Sequence, residues 1–195
     1  MVTQFGFTLI ELVVVTAIML SVAGIGSASY LNFNERQLIE TAKEEIKNNI
    51  VVAKQKAADG QKDIADCGNL PLAGWCLSPD NANAQNYKIY GTCGTDANLP
   101  FTTFPVSPLT FSLPTNIHLT VQAYDSSAGS WGGNFERVRF NALGTGVTLR
   151  DDTLSKVTFC IEGTLPSLGS ENKYAISVDQ TGEIIDEGFT SNCFP

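Results

Sequence analysis

Positive charge is scarce in this chain. Its 195 residues carry 12 Lys and Arg against 20 Asp and Glu, a formal net charge of −8. Binding nucleic acid through its phosphates needs clustered basic side chains, so nucleic acid is disfavoured as a partner. Histidine is nearly absent. His118 is the only one, and it sits at a polar position of an alternating stretch, where a solvent-facing side chain is the ordinary reading. No GxSxG, HExxH or Walker pattern occurs. The "GTG" at Gly144–Gly146 opens no helix and reads as a turn. With no constellation for catalysis, the chain is read as not an enzyme.

A CxxC pair is also lacking. The five cysteines, Cys67, Cys76, Cys93, Cys160 and Cys193, are scattered. In a translocated chain that pattern reads as disulfide-bonded, with at least one thiol left over. Cys67–Cys76 is the leading bridge, because the two are close in sequence and flank one turn-rich stretch; Trp75 would cap that loop. Cys160–Cys193 is the second. The acids Asp151, Asp152, Asp179, Glu183, Asp186 and Glu187 gather in turns and near the end of the sequence. Calcium favours oxygen-rich loops, but this spacing fits no fixed calcium loop. The expectation is no cofactor and no metal site, with calcium as the alternative to solvated acids. Trp131, in a Gly/Ser-rich loop, reads as a loop anchor.

Two further absences shape the N-terminal part. No charge lies between Glu11 and Glu35, an interval of 23 residues from Leu12 to Asn34. No proline lies between Met1 and Leu70. About 20 apolar residues in a helix cross the hydrocarbon core of a bilayer, so a single span is expected here. An ordinary secretory signal fits poorly, because "MVTQFG" has no basic residue and Glu11 falls inside the apolar region. Thr8-Leu9-Ile10-Glu11 fits a capping box, which starts a helix and sets an acid at its positive end. Beyond the span, Ile39, Ala42, Ile46, Ile50, Ala53 and Ala57 recur every three or four residues, an amphipathic stripe. Gly60 is the expected stop. A helix from Thr8 to Asp59 would be about 78 Å long.

The remainder, from Gln61 on, holds all eight prolines and all five cysteines. Ile117, Leu119, Val121 and Ala123 alternate with polar residues, as do Val157, Phe159 and Ile161, and Tyr174, Ile176 and Val178. Further strands are expected at Tyr87–Tyr90, Leu109–Leu113, Arg137–Asn141 and Val147–Leu149, separated by "DSSAGSWGGN", "NALGTG" and "DQTG".

The stretch "GFTLIELVVV", Gly6 to Val15, resembles the type III signal of bacterial type IV pilins and pseudopilins. That resemblance implies cleavage by a prepilin peptidase between Gly6 and Phe7, and N-methylation of Phe7. It also implies an assembly role for Glu11, whose carboxylate pairs with the Phe7 amine of a neighbouring subunit. A second, patchier resemblance links "VRFNALGTGVTL" and "KYAISVDQTGEI" to the heads of H-type minor pseudopilins and FimT-type minor pilins. Cys67 to Thr115 departs from it and looks like an insertion. The acidic "DEGFTSNCFP" gives no reason to carry over the DNA binding found among FimT-type proteins.

The fold expectation is therefore α+β and pilin-like. Residues 1–6 form a leader peptide. Residues 7–59 form a long helix, transmembrane in its first half and amphipathic in its second. Residues 60–195 form an antiparallel β-sheet head on which the helix packs. The implied function is a structural subunit of a type IV pilus or a type II secretion-like filament. Its partners would be other pilin or pseudopilin subunits, the prepilin peptidase and an inner-membrane assembly platform. Its location would be the bacterial inner membrane, by a single pass, before assembly, and an extracellular or periplasmic filament afterwards. The alternative is a membrane-anchored adhesin or binding head that does not polymerise.

Overall fold

In the computed structural model the described residues are 8–80, 83–94, 102–132, 137–149, 154–164 and 172–195, without the side chains of 25–29 and 106–107. Helix α1 spans Leu9–Ala58. It begins at Thr8, whose side-chain oxygen accepts from the Glu11 amide at 3.3 Å. It ends where Gly60 takes φ 66°, letting its N–H bond to Ala57 and that of Gln61 to Lys56. A left-handed residue just past the last turn satisfies carbonyls that the helix leaves open. A one-turn helix α2 follows, Ile64–Cys67.

Among the described residues ten strands form two antiparallel sheets. Sheet A takes the order β3-β2-β1-β6-β7. Its strands are β1 (Leu72–Pro79), β2 (Asn86–Cys93), β3 (Thr102–Ser112), β6 (Val138–Asn141) and β7 (Val147–Thr148). Sheet B takes the order β10-β9-β8-β4-β5. Its strands are β4 (Ile117–Asp125), β5 (Ser130–Gly132), β8 (Leu154–Gly163), β9 (Lys173–Asp179) and β10 (Ile184–Thr190). A 3-10 turn, η1 (Ala142–Gly144), joins β6 to β7.

The second half of α1 lies across both sheets, touching β1 and β6 of sheet A and β4, β8 and β9 of sheet B. Its stripe of Ile39, Ala42, Ile46, Ile50, Ala53 and Ala57 is at most 1% exposed and joins one core with Trp75, Tyr87, Ile89, Phe104, Phe159 and Ile176. Burying a side chain of Leu or Ile size stabilises by about 1.5–3 kcal/mol, which makes this stripe the main hold on the helix. Polar contacts fix its azimuth. Asn49 Nδ2 donates to the Tyr87 hydroxyl at 2.6 Å, and that hydroxyl donates to Glu45 Oε1 at 3.0 Å. Burial pushes the Tyr87 phenol well above its ordinary range, so it remains a donor.

Three expectations are corrected here. The pilin-like α+β class, with one sheet as the head, gives way to a chain dominated by antiparallel strands in two five-stranded sheets. The reason lies in β1, where Gly74, Trp75, Cys76 and Leu77 are buried consecutively. With Gly74 and Cys76 rather than polar residues on its outer face, this strand shows no alternation to read. Cys67 to Thr115, taken as an insertion, supplies three of the five strands of sheet A and several core residues.

The second correction concerns the membrane. Among the described residues no helix is long and apolar enough to cross one, which overturns the transmembrane half and the single-pass inner-membrane location. Ser21, Gly24, Gly26, Ser27 and Ser29 dilute the later part of the uncharged interval Leu12–Asn34.

The third concerns the bridges. Cys67 pairs with Cys93, not with Cys76, and Cys160 pairs with Cys193. Strand parity decides this. Trp75, Leu77, Ile89 and Cys93 face the core with Cys67. Cys76 stands on the other face, opposite Tyr90 and Arg139, its sulfur 3.9 Å from the Thr92 hydroxyl. Successive side chains in a strand point to opposite faces, so Cys76 cannot reach Cys67. It is the free cysteine, fully buried, with burial pushing its thiol up to about 11.

Candidate assembly surface

The first half of α1 contrasts with the second. Between Leu9 and Asn34 no described side chain is buried. Leu9, Ile10, Leu12, Val13, Val14, Val15, Ile18, Met19, Leu20, Val22, Tyr30, Leu31 and Phe33 are all between 43% and 82% exposed. The exposed apolar side chains fall on two stretches of the helix, Leu9 to Val22 and Tyr30 to Phe33. Exposed apolar patches of this extent mark interaction surfaces. The head begins abruptly after it. Glu35 is 3% exposed and packs so closely on the end of β8 that a Cβ on Gly163 would lie 2.1 Å from its Oε1.

Glu11 is exposed in the first turn of this surface. The Thr8 cap holds the turn in place, and the helix dipole favours an acid there. The cleavage and methylation positions, Gly6 and Phe7, lie outside the described residues, so Glu11 is the only sequence-predicted assembly residue with a described position.

The acids near the end of the sequence are used within the fold. Asp179 Oδ1 accepts from the Thr181 amide, the Thr181 hydroxyl and the Glu183 amide, closing its turn. Asp186 takes Lys47 at 3.3 Å and the Tyr174 hydroxyl. Glu187 takes Lys156 and the Ser177 hydroxyl. Burial opposes ionisation of Asp186 and Glu187, but these donors and the lysine charges outweigh it and hold both carboxyls below the usual range. Asp151 and Asp152 lie outside the described residues. Among the described residues no cluster of His, Cys, Asp and Glu is placed to hold a metal ion. His118 is exposed on β4.

Trp75 does not cap a loop. It is 5% exposed, donates to the Gln61 carbonyl at 2.9 Å, and meets Phe104 edge-on at 5.3 Å. Trp131 donates to the Pro195 carbonyl at 2.7 Å and contacts Tyr124 and Phe194. The C-terminal segment is thus fastened by Trp131 on one side and by Cys160–Cys193 on the other. A cleft beside η1, with Arg139 in its wall, had no signal in the sequence, because its residues come from the start of β1, from Gly94 just after β2, and from β6 to β7.

No family model, curated protein or solved structure matches the chain.

Proposed function

We propose that the protein is a structural subunit of a filament of the type IV pilin or pseudopilin kind. It would be processed by a prepilin peptidase after Gly6 and assembled through the first half of α1. One observation carries this reading. A capped helix leaves thirteen large apolar side chains exposed ahead of a docked head, the first six of them within a stretch that resembles the prepilin signal. Each such side chain contributes about 1.5–3 kcal/mol when fully buried. A second copy of the same helix is the occupant chosen, because it brings an identical apolar face.

Stacking would bury Glu11. A buried carboxylate without a cation is strongly unfavourable, so Glu11 needs a partner on the neighbouring copy. Cleavage after Gly6 would create one, the free amine of Phe7. In this reading the apolar face supplies affinity and Glu11 supplies register.

The test is a photo-crosslinking amino acid at Leu20 in cells expressing the full chain. Crosslinks between copies, lost on Glu11→Ala with the protein level unchanged, support the proposal. Crosslinks only to other molecules, or copy-to-copy crosslinks indifferent to Glu11→Ala, would refute it.

A further inference from the structure

Five cysteines and two methionines carry the sulfur of this chain. Four of the cysteines are closed in bridges, and Cys76 is buried. On the reading above, Met1 leaves with residues 1–6. Met19, 67% exposed, is then the one sulfur of the processed chain open to an oxidant.

Met19 lies within the assembly surface. A helix turns by about 100° per residue, so Met19 stands about 160° round α1 from Ile39, nearly opposite the stripe that holds the head. Val15 and Val22, one turn away on either side, are 43% and 65% exposed. These surroundings offer nothing to a polar atom. Between Leu12 and Gly26 the only polar side chains are Thr16 and Ser21. Both donate their hydroxyl protons within the helix, Thr16 to the Val13 carbonyl at 3.0 Å and Ser21 to the Ala17 carbonyl at 2.9 Å. With Glu11 set against the Phe7 amine of a parallel copy, the two copies are offset by four residues. Met19 then faces the turn around Val15 in one neighbour and the turn around Ala23 in the other. Neither turn holds a side-chain hydroxyl that is not already donated.

We propose that Met19 is an oxidation site that controls assembly: a peroxide converts its thioether to the sulfoxide in the unassembled subunit, and that subunit no longer stacks. The inference rests on the assembly reading. In the step the peroxide O–O bond breaks, one oxygen bonds to the sulfur, and the other leaves as water; the sulfur is oxidised and the peroxide reduced. The product replaces a flexible apolar side chain by a polar one. Its oxygen is an acceptor that finds no donor against Val15 and Ala23, and a buried acceptor without a partner is unfavourable. Stacking covers Met19, so the oxidation acts before assembly and marks free subunits.

The experiment uses cells expressing the full chain with a photo-crosslinking amino acid at Leu20, given hydrogen peroxide while the chain is being made. Mass spectrometry reads the sulfoxide at Met19 in crosslinked and in single copies. The sulfoxide should be about tenfold depleted among crosslinked copies. Met19→Gln, which sets a permanent polar group there, should lower crosslinking about tenfold without peroxide and at an unchanged protein level. Met19→Leu should crosslink as the parent chain does and ignore peroxide. Equal sulfoxide in both fractions, full crosslinking by Met19→Gln, or a Met19→Leu chain that stays sensitive to peroxide would each overturn the inference and leave the assembly reading in place. Failure of that reading looks different: the untreated parent chain gives no copy-to-copy crosslinks, and the inference falls with it.

Discussion

Gly91→Ala is expected to destabilise the head by about 3 kcal/mol, and the cause is one aromatic ring. Gly91 lies in β2, without the positive φ that would demand glycine. A Cβ there would sit 2.0 Å from Phe104 Cζ and within 2.5 Å of both Cε atoms. Carbon atoms rest at about 3.5–4.0 Å, so the ring tip would have to retreat by about 1.5 Å or more. It has nowhere to go, being 2% exposed and set edge-on against Trp75 at 5.3 Å. Overpacking a core costs about 1–3 kcal/mol. Ejecting the ring instead forfeits about 1.5–3 kcal/mol of burial and about 0.5–1.5 kcal/mol from the aromatic pair. Phe104→Leu removes the ring tip, so Gly91→Ala should cost less than about 1 kcal/mol in that background, leaving a coupling of about 2 kcal/mol. The assay is urea unfolding followed by tryptophan fluorescence, for which Trp75 is a probe beside the perturbation. Additive costs, or a Gly91→Ala change below about 0.5 kcal/mol, would refute this account of the packing.

Other outcomes follow from the same contacts. Replacing Cys67 and Cys93 together by serine should cost about 3.5 kcal/mol on a chain-entropy basis, because the bridge spans 26 residues; a change under about 1 kcal/mol in the same assay would contradict it. Cys76, buried with its thiol pushed up to about 11, should resist iodoacetamide in the native protein and take one label on unfolding; mass spectrometry counts the labels, and fast native labelling would show the site to be open. Asp186 and Glu187 have folded carboxyls held below their unfolded values. Their stabilisation is present above the unfolded value near 4 and is lost as pH falls through the lower folded value. Asp186→Asn should flatten that part of the melting-temperature profile, and an unchanged slope would exclude the Lys47–Asp186 pair as a contributor.

Periodicity made some of this fold legible. The stripe Ile39 to Ala57 repeats every three or four residues because one side of α1 meets the head. The alternation in β4, β8 and β9 survives in the sequence because their pleats separate core from the other face. Thr8 and Gly60 were readable as helix ends because a cap and a left-handed stop each demand few residue types. The rest failed for physical reasons. β1 carries Gly74 and Cys76 on its outer face, so no polar side chain marks that face, whereas Thr158 in β8 and Ser177 in β9 mark theirs although both are buried. β5 is three residues long, and β10 reads "IIDEGFT", whose acids are exposed while their carboxylates meet lysines from α1 and β8. Sequence proximity favoured Cys67–Cys76, but cross-strand parity places Cys93 on the side of Cys67. Arg139, Asn141 and Thr148 come together only through the pairing of β6 with β7 and a turn strained at Leu143, so no local spacing announces them.

The apolar half of α1 became meaningful only when its exposure was set beside the burial of the other half. A hydropathy pattern alone suggested a span. The structure instead shows the described apolar side chains of that half exposed, with Glu11 in its first turn.

The most direct test of the account is the mass of the N-terminal peptide of the protein isolated from its native cells. The account predicts a chain that begins at Phe7 and carries a methyl group on its amine. A chain that begins near Ser29 or Tyr30, or one that retains Met1, would contradict it.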